Sequence, residues 1–268
     1  MRGQARLKRQ PAVSPGTVAL LCAGSARYTQ VVQCFNALET PAGTQRHIYC
    51  GGPDQSSNRN DIIRSCRGDW LLTIDDDQVF APDLLMRLLR HFHDLAVDIV
   101  APLILRRRPP HDTVIGNAPA GDDQPPRPID LTTERGLLPV HVVGSGILLM
   151  RRRVFERIEQ PWFERHPLLS EDFYFCIKAQ AVGCGVFCDL ETRAGHILPM
   201  VVWPSRLRSG KWGSSYTTLT AGVGDDVVLM VTEAEHQTRR PSPGVTVHTK
   251  KPRRSRRNDT NPRRVKSW

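Results

Sequence analysis

Residues 70–80 read WLLTIDDDQVF, and this stretch decides the fold. An apolar run from Trp70 to Ile74 leads directly into three consecutive carboxylates, Asp75 to Asp77, and the apolar pair Val79 and Phe80 follows. A short continuous apolar run of this kind is typical of a strand that is buried on both faces of a parallel sheet. Because ligands of open α/β sheets bind at the carboxyl ends of the strands, the three aspartates are predicted to lie at a binding edge.

The alternation of the three aspartates indicates what they bind. If the chain stays extended, Asp75 and Asp77 point one way and Asp76 points the other. Two carboxylates that converge on one point are costly unless a cation lies between them. Mg²⁺ and Mn²⁺ prefer oxygen ligands, and such ions commonly bridge substrate phosphates. The D-x-D pattern therefore suggests a metal–diphosphate site, whereas a solvated acidic turn that caps a helix near Asp83 explains these residues alone equally well.

Strand patterns and helix patterns alternate on both sides of this stretch. Strands are predicted at 17–22, 47–50, 70–74, 98–105, 142–150 and 186–189, and helices at 28–38, 58–67, 82–93, from 153 onward and at 171–182. The alternation predicts an α/β fold with a mostly parallel central sheet and helices on both faces. The polar, Pro-rich connection over 106–139 is long enough to be functional or mobile. Residues 226–232 fit either a strand or a helix.

The basic charge of the chain is confined to its C-terminal end. The 268 residues carry a net charge of +10, and residues 239–268 contain eleven Lys or Arg and one Asp. Residues 1–238 are therefore neutral overall, so the folded part is not a basic protein. We predict a flexible basic lead-in over 1–16, a single domain over 17–238 and a disordered basic tail over 239–268. The tail suits an anionic partner, such as a membrane surface, nucleic acid or a polyanionic assembly.

Cysteine usage and hydropathy indicate the compartment. The seven cysteines are odd in number and several lie in apolar runs, which favours buried, reduced thiols in a cytoplasmic protein. No apolar run approaches the roughly 18 residues of a transmembrane segment. The N-terminus imitates a short signal peptide, but a first strand over 17–22 explains the same residues.

Three stretches resemble the family 2-like glycosyltransferases of the GT-A (Rossmann-like) fold. NRNDIIRSCRGDWLLTIDDDQVFAPDLLMRLL (58–89) is similar to the nucleotide-sugar half of those enzymes, with an Arg-Asn helix, a strand and the D-x-D. PWFERHPLLSEDFYFCIKAQAVGCGVFCDLETRAGHI (161–197) resembles their acceptor half, and GSGILLMRRRVFERI (144–158) their glycine-bearing strand and helix. The resemblance implies a donor half over about 17–105 and an acceptor half over about 140–200. It also implies the transfer of a sugar from a nucleoside diphosphate, UDP or GDP, to an acceptor hydroxyl.

The resemblance assigns roles to five acidic and histidine side chains. Asp77 and His196 should bind Mn²⁺ or Mg²⁺, and Asp75 should contact the metal or the ribose. Asp172 should act as the general base of an inverting transfer, with Glu171 as the alternative base or as an acceptor-binding group. Simpler explanations exist for three of them. His196 can be a lone histidine in a turn, and Glu171 and Asp172 can be acids that a helix N-terminus favours through its dipole.

The remaining site residues are predicted around the donor. Arg27 and Arg59 should contact the diphosphate or the base, and Asp54 should hydrogen-bond the nucleobase. The stretch after the second strand lacks the family's acidic pair, which leaves the base open. Gly144–Gly146 would let the backbone approach the donor sugar, unless they serve strand packing. Sugar-stacking candidates, with core packing as the alternative, are Trp162, Trp203 and Trp212.

A lid that excludes water is predicted in 106–139 or in the segment around Trp203–Trp212. The acceptor class stays open between a glycan, a lipid, a protein and a nucleobase.

Two other functions compete with sugar transfer. A nucleotidyltransferase would need a Gly-rich loop with Lys or Arg after the first strand, and CAGSARY (22–28) is a poor match. A nucleic-acid-binding protein would act through the 239–268 tail and lose binding steeply with salt. A degenerate, non-catalytic relative is disfavoured because the D-x-D, the E-D pair and the His are all present.

Overall fold

The structure is a computed structural model that describes residues 13–22, 28–107, 111–117, 126–198, 200–206 and 208–218. The predictions for Arg27, for most of the lead-in, for 226–232 and for the 239–268 tail lie outside the described residues.

A seven-stranded sheet forms the centre of the fold, in the order β2–β1–β3–β9–β5–β10–β7. Its strands are β1 (Thr17–Cys22), β2 (Gln45–Cys50), β3 (Trp70–Asp75), β5 (Ile99–Leu103), β7 (Leu137–Pro139), β9 (Ile147–Arg151) and β10 (Val186–Arg193). β1 is parallel to β2 and β3, and β5 is parallel to β10. β9 runs antiparallel to β3 and β5, and β7 runs antiparallel to β10. Five strands therefore point the same way, which confirms the predicted, mostly parallel sheet.

Helices cover both faces of this sheet, as the alternating pattern predicted. They are α1 (Thr29–Ala37), α2 (Gln55–Ser65), α3 (Leu84–Leu89), α4 (Arg152–Arg157) and α5 (Glu171–Ala181), with a 3₁₀ turn at Arg90–His93. Ala19 and Leu21 of β1 belong to one core cluster, together with residues of α2, α4 and α5. Val18 and Leu20 belong to the other, with residues of α1 and α3. The apolar run of β1 is thus buried on both faces, which explains its lack of polar alternation.

A second, antiparallel sheet brings distant parts of the chain together. Its strands are β4 (Gln78–Val79), β11 (Gly195–Leu198), β12 (Met200–Arg206) and β13 (Trp212–Thr218), in the order β13–β12–β11–β4. A two-stranded sheet joins β6 (Ile115–Gly116) to β8 (Val142–Val143). β4 follows the aspartates directly, so its pairing with β11 brings the D-x-D close to Gly195 and His196.

Most predicted elements differ by a few residues in their bounds, and three differ more in extent. The strand expected over 142–150 is divided into β8 and β9 by Gly144–Gly146, where a Cβ on Gly144 would lie 2.4 Å from the side chain of Val114. The helix expected over 82–93 becomes a 3₁₀ turn after Leu89, and β10 continues to Arg193. None of the helices in the described ranges is long and apolar enough to span a bilayer.

Candidate functional site

A cavity of about 180 Å³ lies at the carboxyl end of β3 and brings most of the predicted site residues together. We call it the donor cleft. Its charged and histidine lining consists of Asp75, Asp77, Glu171, Asp172, Arg59, Arg107 and His196. Four carboxylates and two arginines give the cleft a net charge of −2 when the histidine is neutral. Asp76 is not among the lining residues, in agreement with the predicted alternation.

His196 reaches Asp77 because β11 pairs with β4. His196 lies opposite Gln78 in that pairing, and the Ile197 N–H donates to the Asp77 carbonyl at 2.8 Å. Nε2 of His196 is then 3.3 Å from Oδ2 of Asp77. Nδ1 is 2.9 Å from the Leu105 carbonyl, which can only accept, so Nδ1 carries the hydrogen. A backbone carbonyl that accepts the hydrogen of one ring nitrogen, and so leaves the other nitrogen for an ion, is the support that metal-binding histidines usually have.

Three side chains surround the Asp77 carboxylate. His196 and Arg107 lie at 3.3 and 3.0 Å from Oδ2, and the Gln78 amide donates to Oδ1 at 3.0 Å. Burial alone would raise the pKa of Asp77, but Arg107, Gln78 and the hydrogen bond and charge of His196 when its ring is protonated hold that pKa below its ordinary value. Asp77 is therefore a carboxylate at neutral pH.

Sequence reasoning missed Arg107 as a single residue, although it falls in the predicted lid segment. The available signal was its position in the run Arg106–Arg108, directly after the strand that ends the donor half.

Arg59 connects the two halves of the cleft. Its side chain is 2% exposed, and its guanidinium donates to Asp75 Oδ2 at 3.0 Å and to the Ser145 carbonyl at 3.4 Å. Its Nε lies 4.0 Å from Glu171 Oε1. Burial raises the pKa of Asp75 to about 6, because the opposing charge and hydrogen bond of Arg59 only partly offset desolvation and the charges of Asp77 and Asp172 add to it.

Helix α2 places Arg59 by way of two anchors. Asp54 is its N-cap and accepts from the Ser57 N–H at 3.3 Å. The Asn60 amide is bonded to Phe163 twice, donating to its carbonyl at 2.8 Å and accepting from its N–H at 3.0 Å. The Phe163 ring lies 5.7 Å from the Arg59 guanidinium. In the Arg-Asn pair of the sequence motif, Arg59 therefore lines the cleft, and Asn60 anchors helix α2 to Phe163.

Asp172 is oriented by donors on both oxygens. Ser145 N–H donates to Oδ2 at 3.1 Å, and Phe173 N–H donates to Oδ1 at 2.8 Å. Ser170 occupies the N-cap position of α5, but its hydroxyl bonds to Asp172 Oδ1 and makes no capping bond. Ser145 therefore contacts Arg59 through its carbonyl and Asp172 through its amide, which gives the glycine-flanked segment a role inside the cleft.

Unpaired polar atoms point to a ligand in the cleft. Among the buried side-chain atoms without a hydrogen-bond partner in the described ranges are Arg59 Nε, Asp75 Oδ1 and Gln78 Oε1, and all three residues line the cleft. Buried polar atoms in folded proteins are nearly always paired with protein or water, so unpaired atoms that cluster around one cavity need an external partner.

The donor set fits a hard divalent cation that brings other ligands with it. In the part of the chain that the structure describes, no three His, Cys, Asp or Glu side chains form a ready metal cage. Mg²⁺, however, is commonly held by one or two carboxylates together with substrate phosphates and water. Asp77, His196 and the unpaired oxygen of Asp75 provide such a partial set, and the cleft charge of −2 equals the charge of the ion in magnitude.

Other predicted residues lie elsewhere. Asp54 does not line the cleft: it caps α2 and pairs with Arg165 at 3.2 Å, and its bond to Ser57 is the main reason that its pKa is lowered. Trp162 is a core residue whose Nε1 donates to the Phe155 carbonyl at 2.9 Å. Trp203 packs against the second core cluster. These two tryptophans therefore follow the core-packing alternative.

Trp212 lines a larger cavity of about 650 Å³, which we call the outer cavity. Its walls come from the segment after β5 and from the hairpin between β12 and β13. Both segments that the sequence offered as lids therefore border this one space.

The comparisons with known proteins agree with the fold. Residues 46–159 match the family model described as Glycosyl transferase family 2. A structure titled "Crystal Structure of A197 from STIV" aligns with 14% identity and a TM-score of 0.53, over 70% of this chain and 89% of that chain. GalNAc-T7 aligns with 11% identity and a TM-score of 0.50, over 69% of this chain and 43% of that chain. S. aureus TarS aligns with 12% identity over 65% of this chain and 60% of its own, but its TM-score of 0.43 is too low to argue from.

No curated protein sequence matches the chain significantly. The family match spans β2 to α4, so it contains the D-x-D but ends before Glu171. Residues 46–159, which contain the D-x-D, are therefore similar to the family 2 glycosyltransferases, and the chain as described has a fold like that of the GT-A structures with which it aligns.

Proposed function

We propose that the chain transfers a sugar from a nucleoside-diphosphate sugar to an acceptor hydroxyl, with Mg²⁺ or Mn²⁺ bound in the donor cleft. The observation that carries the proposal is the contact between Asp77 and His196, which are 119 positions apart in the chain. A fold that brings these two side chains to 3.3 Å, in a cleft of net charge −2, meets the requirement for a divalent cation.

Asp77 and His196 would hold the ion, and Asp75 would complete the protein's share of its ligands or bind the ribose. When bound, the ion neutralises the negative charge that grows on the departing diphosphate. Arg107 contacts the same Asp77 oxygen as His196, and its side chain is half-exposed. If an ion took that oxygen, the Arg107 guanidinium would be free to pair with a diphosphate oxygen.

Asp172 is the proposed general base. The Phe173 amide and the Ser170 hydroxyl both donate to Oδ1, and the Ser145 amide donates to Oδ2, so Oδ2 is the oxygen that can still accept the proton of an acceptor hydroxyl. Glu171, at 4.0 Å from Arg59, is the alternative base or an acceptor-binding group. A base that lies across the sugar from the diphosphate gives inversion, which is the outcome we propose.

The donor is proposed to be a nucleotide sugar linked to UDP or GDP. GalNAc-T7, which shares the fold, has a structure with UDP, GalNAc and Mn²⁺, and the proposal takes the same donor class for this chain. The 180 Å³ cleft is smaller than pockets that enclose whole ligands, typically about 300–1,000 Å³. It therefore suits the ion and the diphosphate, with the nucleoside outside it.

A screen for donor hydrolysis tests the proposal. The full chain is incubated with UDP- and GDP-linked sugars, with Mn²⁺, with Mg²⁺ and with EDTA. We expect hydrolysis of one nucleotide sugar that EDTA abolishes. Asp77→Ala should lose metal-dependent nucleotide binding, and Asp172→Ala should keep that binding and lose turnover. Asp76→Asn, a neighbouring aspartate outside the cleft, is the matched control. The proposal is wrong if no nucleotide sugar is bound or cleaved, or if both alanine variants keep full activity.

A further inference from the structure

We propose that the outer cavity is the acceptor site and that it takes a carbohydrate. This inference rests on the proposed sugar transfer and names the acceptor class that the sequence left open. Its volume of about 650 Å³ lies in the range of pockets that enclose a small ligand.

The outer cavity and the donor cleft share a wall. Ile115 lines both spaces. Phe173 lines the outer cavity, and Asp172, the residue before it, lines the cleft. The two spaces therefore adjoin at Ile115 and at the start of α5, and an acceptor that extends from the outer cavity across this boundary would bring a hydroxyl to Asp172.

Trp212 is a fixed aromatic surface in this cavity. The Arg206 guanidinium lies 4.6 Å from the centre of its ring, and Arg206 in turn donates to the carbonyls of Leu131 and Thr132 at 2.9 Å each. These bonds tie the β12–β13 hairpin to the opposite wall. Nε1 of Trp212 is buried and has no partner. An indole held in place, with an N–H that lacks an acceptor, fits a ligand that has both an apolar face and oxygen acceptors.

The remaining lining matches the chemistry of a sugar. Asp112 and Asp130 supply carboxylate acceptors, Arg106 and Lys211 supply cationic donors, and Leu131 adds an apolar surface. Sugar hydroxyls both donate and accept, and the C–H faces of the ring are apolar. Two acids and two bases cancel, so a polyanion gains no net attraction, and a lipid tail would leave these charged groups without water or partners. The lining therefore favours a carbohydrate.

The backbone conformation of His111 is a second indication that the wall of the outer cavity is held in a fixed shape. His111 has φ +62° in the left-handed region, is 8% exposed, and donates from Nδ1 to the Arg106 carbonyl at 3.0 Å. A non-glycine residue held in this region indicates that the surrounding structure fixes the turn, and such turns concentrate at functional sites. Here the turn lines the outer cavity between Arg106 and Asp112.

Saturation-transfer NMR on the full chain tests the inference, with diamagnetic Mg²⁺ and UDP or GDP present. The sugar probes are maltose, cellobiose, lactose and diacetylchitobiose. The other probes are a single-stranded DNA oligonucleotide, phosphatidylglycerol vesicles and a Ser/Thr peptide. We expect at least one disaccharide to bind. Trp212→Phe keeps an aromatic ring but removes the N–H, and it should weaken that binding about threefold to tenfold, the effect of one hydrogen bond. Trp203→Phe, on the same hairpin but outside the cavity, should not change it.

Asp112→Asn is the second variant, because Asp112 is exposed and we expect its substitution to leave folding intact. It should also weaken disaccharide binding. The inference is overturned if no disaccharide binds, if both variants bind as tightly as the wild type, or if DNA, vesicles or peptide instead depend on Trp212. Metal-dependent donor hydrolysis, measured in parallel on the wild type, separates the two proposals. Hydrolysis without sugar binding rejects only the acceptor class, and absence of nucleotide binding and hydrolysis rejects the transfer itself.

Discussion

Nε2 of His196 lies 3.3 Å from Oδ2 of Asp77, and Nδ1 of the same ring donates to the Leu105 carbonyl at 2.9 Å. The first contact depends on the pairing of β4 with β11, and the second on the segment that follows β5. Three separate parts of the chain therefore fix the position of this imidazole. Such a fixed ring loses little conformational entropy when it binds an ion, and its free nitrogen already points at a carboxylate.

Removing the imidazole should therefore weaken metal binding. We expect His196→Ala to lower the affinity for Mn²⁺ by about tenfold or more in the presence of UDP or GDP, measured by titration calorimetry. His93→Ala removes an imidazole from the exposed 3₁₀ turn and serves as the control. Equal Mn²⁺ affinity in His196→Ala and wild type would remove His196 from the ligand set.

Arg59 should be required for stability as well as for the site. Arg59→Met leaves the Asp75 carboxylate without its 3.0 Å partner in a buried setting, which should cost about 3 kcal/mol of unfolding free energy at pH 7 in urea. Adding Asp75→Asn should restore part of that loss, because the uncompensated charge is gone. Arg64→Met, which breaks an exposed ion pair on the same helix, should cost less than about 1 kcal/mol. Equal losses for the two arginines would contradict this role.

The pH dependence of the metal-free protein should show the raised pKa of Asp75. With a folded pKa of about 6 and an unfolded pKa of about 3.9, the folded state binds the Asp75 proton more tightly. This group therefore makes the unfolding free energy fall as pH rises from about 4 to about 6. Urea unfolding in EDTA across this range should show that Asp75→Asn lacks this fall. Parallel curves for wild type and Asp75→Asn would show that the pKa is not raised.

Asp189 should affect the pH dependence of the unfolding free energy in the opposite direction to Asp75. It is fully buried at β10 and accepts from His91 Nε2 at 2.9 Å, Thr192 Oγ1 at 2.7 Å and the Glu191 N–H at 3.0 Å. Burial would raise its pKa, but these bonds hold the pKa below its ordinary value. Its stabilisation is then present above pH of about 4 and is lost as pH falls through the lowered pKa.

Asp189→Asn should accordingly destabilise the protein by about 2 kcal/mol or more at pH 7 and by less below pH of about 4. Asp61→Asn, at an exposed aspartate, is the control. A wild-type advantage over Asp189→Asn that grows as pH falls below 4 would reverse the assigned direction.

The sequence could predict the parts of the fold that local patterns determine. The apolar run before Asp75 is typical of a buried strand, which β3 confirms, and the D-x-D at its end predicted two carboxylates in one cleft, which Asp75 and Asp77 line. His196 could be assigned only by resemblance, because no local signal encodes the pairing of β4 with β11. Arg107 was missed for the same reason: an arginine in a loop becomes a site residue only when tertiary structure places it on Asp77.

Tertiary contacts also determine where some strands end, which local sequence patterns do not reveal. Gly144–Gly146 interrupt a strand that the apolar pattern made continuous, because the close approach of Val114 to Gly144 is a tertiary contact. Asp54 was predicted to contact a nucleobase, and the structure places it as the N-cap of α2. An aspartate just before a helix can cap that helix or bind a ligand, and the local sequence is the same in both cases.

Crystals grown with Mn²⁺ and UDP or GDP test the central claim most directly, through anomalous diffraction at the manganese edge. We expect an anomalous peak in the donor cleft, roughly 2.1 Å from Asp77 Oδ2 and bonded to His196 Nε2, with diphosphate oxygens completing the shell. A manganese ion bound elsewhere, with Asp77 and His196 still in direct contact in the nucleotide complex, would contradict it.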